Sequence, residues 1–208
     1  NLLGRITFDD VIDEIKSDAD ESLRQISGID SDTFEKTSTA IKTRGFWLGT
    51  NLLTALIAAS VINIFKETLE QVIFLAVLMP IIASMGGVAA TQTLTITVRG
   101  LALGQIVRAN YLYIFNRELM VGISNGFIWA VILSLIACSW FQDWLLAWVI
   151  CLSMIINLIA GVLSGMGIPI LLKGLKMDPA VAGSVIVTTV TDVIGFFSFL
   201  GLATYFYS

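Results

Sequence analysis

The sequence predicts an all-α integral membrane protein with five crossing helices, and three observations carry that prediction. Of the 208 residues, 56% are hydrophobic and 13% charged, with a mean hydropathy of +0.87; soluble domains have roughly 45–50% and about 25%. Five apolar runs, near 45–65, 70–98, 117–140, 144–172 and 180–207, reach the roughly 20 residues that a bilayer-crossing helix requires. Basic residues, Lys66 excepted, fall before the first run and in alternate gaps between the runs.

Residues 1–44 read as a soluble cytoplasmic segment, and 45–208 as the membrane domain. "LLGRITFDDVIDEI" suggests a short strand, a turn and a helix capped by Asp9 or Asp10, with Val11, Ile12 and Ile15 as its apolar stripe. "KSDADESLRQISGID" continues as an acidic amphipathic helix that Gly28 stops. Its acids form a solvated face or, at Asp18 and Glu21, candidate peripheral divalent-cation sites. The chain opens on Asn1 without a secretory pattern, which predicts an excerpt of a longer protein.

The second apolar run contains Pro80 and the pair Gly86–Gly87, predicting a kink or an unwound segment. Small residues Ala83, Ser84, Gly86, Gly87, Ala89 and Ala90 precede Thr91, Gln92, Thr93, Thr95 and Thr97. Two readings stay open: a broken helix beside an ion pathway, or a packing seam whose hydroxyls bond back to their own helix. In the fourth run Ser153, Asn157, Gly161 and Gly165 recur every four residues, the spacing of a packing face.

Charge sets the orientation. Lys42 and Arg44, then Arg99, Arg108 and Arg117, then Lys173 and Lys176 mark three segments on one side, which the positive-inside rule makes cytoplasmic. The N-terminus is then cytoplasmic and the C-terminus extracytoplasmic, with Trp140, Trp144 and Trp148 in an outer interfacial belt.

Several functions are excluded. The net charge of −4 resides in residues 1–44, which hold ten acids and six bases, so no basic surface exists for nucleic acid. Histidine is absent, removing the commonest general base and transition-metal ligand. Cys138 and Cys151 have no CxxC spacing and read as packing thiols. No P-loop is present. Aspartyl protease chemistry needs two carboxylates sharing a proton, and one carboxylate per chain, an aspartate, lies deep within the spans, so the chain is not read as an enzyme.

That carboxylate is Asp192, in "VTTVTDVIGFFSF". An aspartate at a helix centre costs about 2.5–3.5 kcal/mol on insertion scales. Helical spacing groups Ser184, Thr188, Thr191, Gly195 and Ser198 into a stripe with Asp192 at its edge. The pattern suits a wet lining; the alternative is a protonated aspartate hydrogen-bonded in a dry bundle. With no basic residue in a span core, a mobile cation is the natural partner, and oxygen donors suit Mg²⁺ or Ca²⁺. A divalent ion on a twofold axis would receive two copies of Asp192, which predicts a homodimer.

"SMGGVAATQTLTITVRGLALGQI" and "MDPAVAGSVIVTTVTDVIGFFSFLGLATYF" resemble the two signature blocks of the MgtE family of magnesium channels. The resemblance covers the membrane part, and the opening residues resemble the end of a CBS domain followed by a connecting helix. It implies Mg²⁺ transport across the cell (inner) membrane by a homodimer with its pore at the twofold axis. Asp192 matches the residue that holds hydrated Mg²⁺, and Thr188 a position whose backbone carbonyl faces the ion. Ser184, Thr191, Gly87 and Val88 complete the expected pathway. Three positions depart from the family pattern: Val88 replaces an Asn, Ala90 a Gly and Ser184 an Asn. These losses put strict Mg²⁺ selectivity in question and leave a less selective carrier of Ca²⁺, Mn²⁺ or Co²⁺, or a proton-coupled transporter, as the alternative.

Overall fold

A computed structural model describes residues 7–9, 36–175 and 181–207. The expected N-terminal strand and amphipathic helix, Asp18, Glu21 and Lys176 lie outside the described residues. Six helices follow in order: α1 Thr37–Ile64, α2 Lys66–Gln71, α3 Phe74–Ala102, α4 Tyr111–Phe141, α5 Trp144–Gly174 and α6 Val181–Tyr207. All but the short α2 are long and apolar enough to cross a membrane, as the five apolar runs require.

The connections explain the antiparallel packing. Between α3 and α4, Gly104 takes a positive φ of 66°, a conformation open to glycine without steric cost. It returns the chain so that Ile106 is buried against Gly100. Between α4 and α5, Gln142 is left-handed at φ 53° and its backbone N–H closes on the Cys138 carbonyl. Asp143 then caps α5, its Oδ1 accepting from the amides of Leu145 (2.8 Å) and Leu146 (3.2 Å). Such a cap contributes about 1 kcal/mol. Its other oxygen accepts from the Tyr207 hydroxyl at the end of α6. Burial alone would raise the Asp143 carboxyl pKa; the hydrogen bonds from Tyr207, Leu146 and Leu145 outweigh it and hold the group below its ordinary value. Lys173, in the last turn of α5, donates to the Leu101 carbonyl near the end of α3 at 3.3 Å, where a cation also meets the negative end of the helix dipole.

α5 is the centre of the bundle, packing on α3, α4 and α6. Leu146, Val149, Ile150, Met154 and Leu158 on α5 meet Leu75, Leu78 and Ile82 on α3 and Phe199, Leu200 and Ala203 on α6. α1 is peripheral and rests on α6. Phe65, at its end, meets Phe197 edge-on at 5.7 Å, and Thr68 and Thr204 share a 2.7 Å hydrogen bond. Leu52, Leu53, Leu56 and Ile57 face outward, the composition of a lipid-facing helix surface. Trp140, Trp144 and Trp148 are exposed around the α4–α5 turn. Cys138 and Cys151 are free thiols.

The second apolar run is corrected in one respect: α3 is continuous through Pro80 and Gly86–Gly87, without an unwound segment. Proline there removes one backbone donor, and tight packing holds the helix together. Its small residues divide between two faces. Gly86 and Ala90 face α5: a Cβ on Gly161 would stand 2.8 Å from the Gly86 carbonyl, and one on Gly165 2.5 Å from the Ala90 carbonyl. Only glycine permits backbones so close. The four-residue spacing on α5 is therefore a seam, and Ala90 belongs to it; its side chain is fully buried and does not reach the groove described next.

Candidate functional site

The other face of α3 borders open space. Ser84, Gly87, Val88, Thr91, Gln92, Thr95, Ile96 and, across from them, Thr188 of α6 line a groove of about 690 Å³. A Cβ on Gly87 would meet nothing within 4 Å, in contrast with its neighbour Gly86. Val88 is 51% exposed there.

The hydroxyls of the groove are oriented by their own helices. Thr91 donates to the Gly87 carbonyl (2.8 Å), Thr95 to Thr91 (2.8 Å) and Thr188 to Ser184 (2.8 Å). With its proton so committed, each oxygen presents lone pairs outward, as an acceptor. The hydroxyls bond back to their own helices, and three of the back-bonded ones, those of Thr91, Thr95 and Thr188, border the groove.

Asp192 lies one turn beyond Thr188 and two beyond Ser184, the i, i+4 spacing of one helix face. It is partly exposed and makes no hydrogen bond or ion pair with any described residue. The stripe expected on α6 is in fact two faces. Ser184, Thr188 and Asp192 stand on the more open one. Thr191 and Gly195 are buried on the other; the Thr191 hydroxyl donates to the Thr188 carbonyl at 2.8 Å, and Gly195 meets the Asn157 amide. Of the expected pathway residues, the structure gathers Gly87, Val88 and Thr188 around one groove, sets Ser184 and Asp192 on the same helix face as Thr188, and turns Thr191 inward.

Two features escaped the sequence reading. Glu118 of α4 is a second acid within an apolar helix, 4% exposed, beside a smaller cavity of about 310 Å³ bordered by Gln92 and Asn125. Its carboxylate lies 4.0 Å from the guanidinium of the exposed Arg117, a pairing of weak geometry. Asn157 bridges α3 and α6, which its seam spacing alone could not reveal. Among the described residues no group of three or more acids, cysteines or histidines could chelate a metal.

Comparison with known proteins identifies relatives of the chain. The MgtE family model, described as a divalent cation transporter, matches residues 79–202, which include the groove and Asp192. The magnesium transporter MgtE of Bacillus subtilis (strain 168) is 34% identical over 207 residues, covering 99% of this chain and 46% of its own length. Those of Enterococcus faecalis and Thermus thermophilus are each 29% identical, over 99% and 97% of this chain and 46% of theirs. The chain thus spans about half the length of the curated relatives it matches.

Proposed function

The chain belongs to the MgtE family of divalent cation transporters, and from that premise we propose that it conducts Mg²⁺ across the cell membrane, with Asp192 holding the hydrated ion beside the α3–α6 groove. The observation that carries the reading is the unpaired carboxylate on the helix face that Thr188 shares with the groove. Two copies meeting about a twofold axis would place two such faces around one pore and supply two charges to a divalent ion.

The groove chemistry suits a hydrated ion. Mg²⁺ dehydrates reluctantly and demands octahedral geometry. Six waters at about 30 Å³ each occupy about 180 Å³, well within the groove. Acceptor oxygens of Thr91, Thr95 and Thr188 match the outward-pointing protons of those waters, and Asp192 supplies charge without direct coordination. An inward-negative potential contributes about 4.6 kcal/mol per 100 mV to the entry of a divalent ion, twice the value for one charge, so uptake needs no other energy source. With the N-terminus cytoplasmic, Arg99, Arg108, Arg117 and Lys173 stand on the inner side.

Selectivity follows from the groove wall. Val88 and Ser184 stand where amides would otherwise contact the water shell, so discrimination of Mg²⁺ from Ca²⁺ rests on Asp192 and the hydroxyls. Ala90 has no part in it, because it lies in the α3–α5 seam.

The test is electrical. In planar bilayers containing the reconstituted chain, Mg²⁺ currents are expected to reverse at the Mg²⁺ equilibrium potential whatever the proton gradient. A reversal potential that moves with the proton gradient would replace the channel by a coupled transporter. A cysteine at Thr188 should crosslink two copies; crosslinks absent from conducting protein would contradict the twofold pore.

A further inference from the structure

We propose that Asn157 is a positioning residue that sets the separation of α3 and α6 beside the ion groove, and thereby the size of ion the groove accepts; the inference rests on the groove reading above. Asn157 sits on α5, fully buried. Its Nδ2 donates to the Ile82 carbonyl of α3 at 2.8 Å. The same amide fills the space where two glycines on two other helices lack a side chain. A Cβ on Gly86 would stand 2.2 Å from Nδ2, and one on Gly195 2.7 Å from it. One side chain therefore touches α3 and α6 together, at glycines on both.

Those contacts adjoin the groove. Gly86 precedes Gly87 and Val88, which line it. Gly195 lies three residues beyond Asp192, about 4.5 Å along the helix axis. A change in the volume of residue 157 would move the two groove walls relative to each other. The energetics argue that Asn157 is not there for stability alone. Its Oδ1 is buried with no hydrogen-bond partner, a costly state that an apolar side chain would avoid. A planar amide is thin enough to fit against both glycines and still donate to Ile82, which neither Ala nor Leu can do.

The decisive experiment pairs Asn157→Ala with the two glycines in the reconstituted chain. Mg²⁺ flux, the Mg²⁺/Ca²⁺ flux ratio and the amount of folded dimer are measured for N157A, G86A, G195A, N157A/G86A and N157A/G195A. Each glycine substitution alone should lower Mg²⁺ flux about tenfold, within the coupling expected of residues in contact. Removing the amide makes room for the methyl group, so each double variant should conduct better than its glycine single variant. N157A alone should fold and shift the Mg²⁺/Ca²⁺ ratio by about threefold or more, since ordering lost at one contact is of that size. A purely structural asparagine would change the yield and leave the ratio alone. Wild-type ratios in folded N157A, or double variants no better than the glycine singles, would overturn the proposal. Asp192→Asn is measured beside them: if it conducts like wild type, the groove reading fails on its own account, whatever the Asn157 series shows.

Discussion

The two faces of α6 both carry hydroxyls and do different things. On the inward face Thr191 and Gly195 are buried, the hydroxyl bonded to its own helix and the glycine filled by Asn157. On the open face Ser184 and Thr188 precede Asp192 by two turns and one. Hydroxyls on a membrane helix are neutral evidence, because the carbonyl four residues back satisfies them anywhere. A carboxylate has no donor in its own helix to turn to, so its face is the informative one. α3 repeats the contrast, with Gly86 in the seam and Gly87 at the groove.

The largest effect should come from breaking the inward side. Gly165→Val places a branched side chain where a Cβ alone would lie 2.5 Å from the Ala90 carbonyl. A loss of about 3 kcal/mol, at the top of the overpacking range, should appear as loss of monodisperse protein in detergent. Native-like thermal unfolding of that variant would show that α3 and α5 can part cheaply.

On the open side, Val88→Asn with Ser184→Asn should leave the unfolding temperature unchanged and raise the Mg²⁺/Ca²⁺ flux ratio several-fold, about 1 kcal/mol of added hydrogen bonding to the water shell. An equal gain from Ala90→Gly alone would contradict the assignment of Ala90 to the seam. The faces can also be compared directly. Thr188→Val should lower Mg²⁺ flux a few-fold by removing one acceptor, about 1 kcal/mol, while Thr191→Val should stay within about twofold. The reverse order would exchange the roles of the two faces.

The smallest effect concerns the α5 cap. The Asp143 carboxyl is held below its ordinary value, so its stabilisation is complete above the unfolded pKa of about 3.9 and is lost as pH falls through the depressed folded value. Tyr207→Phe removes one of the bonds that depress it. The acid-induced loss of stability should therefore be smaller than in wild type and be complete at a higher pH. Coincident acid unfolding curves would show that the bond contributes nothing.

Much of this was legible in the sequence, for identifiable reasons. Span positions follow from hydropathy, since a bilayer leaves a crossing helix little choice of composition. Asp192 stood out because a charge there is costly. The division of faces was less legible. Five residues of α6 fit one stripe at helical spacing with Asp192 at its edge, and only the packing of α5 against that helix separates Thr191 and Gly195 from Ser184, Thr188 and Asp192. Gly86 and Gly87 are adjacent, and sequence cannot say which one a neighbour fills. Pro80 and Gly86–Gly87 suggested a kink or an unwound segment, and the helix runs unbroken through them. Asn157 looked like one more step in a packing repeat, because its two partners lie about 70 and about 40 residues away in chain order.

The central claim is that the open face of α6 is the counter-charge of the ion path. The direct test is Mg²⁺ influx into liposomes containing wild type or Asp192→Asn, with dimer content followed by crosslinking. The substitution keeps shape and removes charge. Flux should fall about a hundredfold or more, the scale on which removing one partner of a desolvated charge pair acts, while the dimer persists. Unchanged flux in an intact dimer would make Asp192 a structural polar residue and leave the groove without its ion.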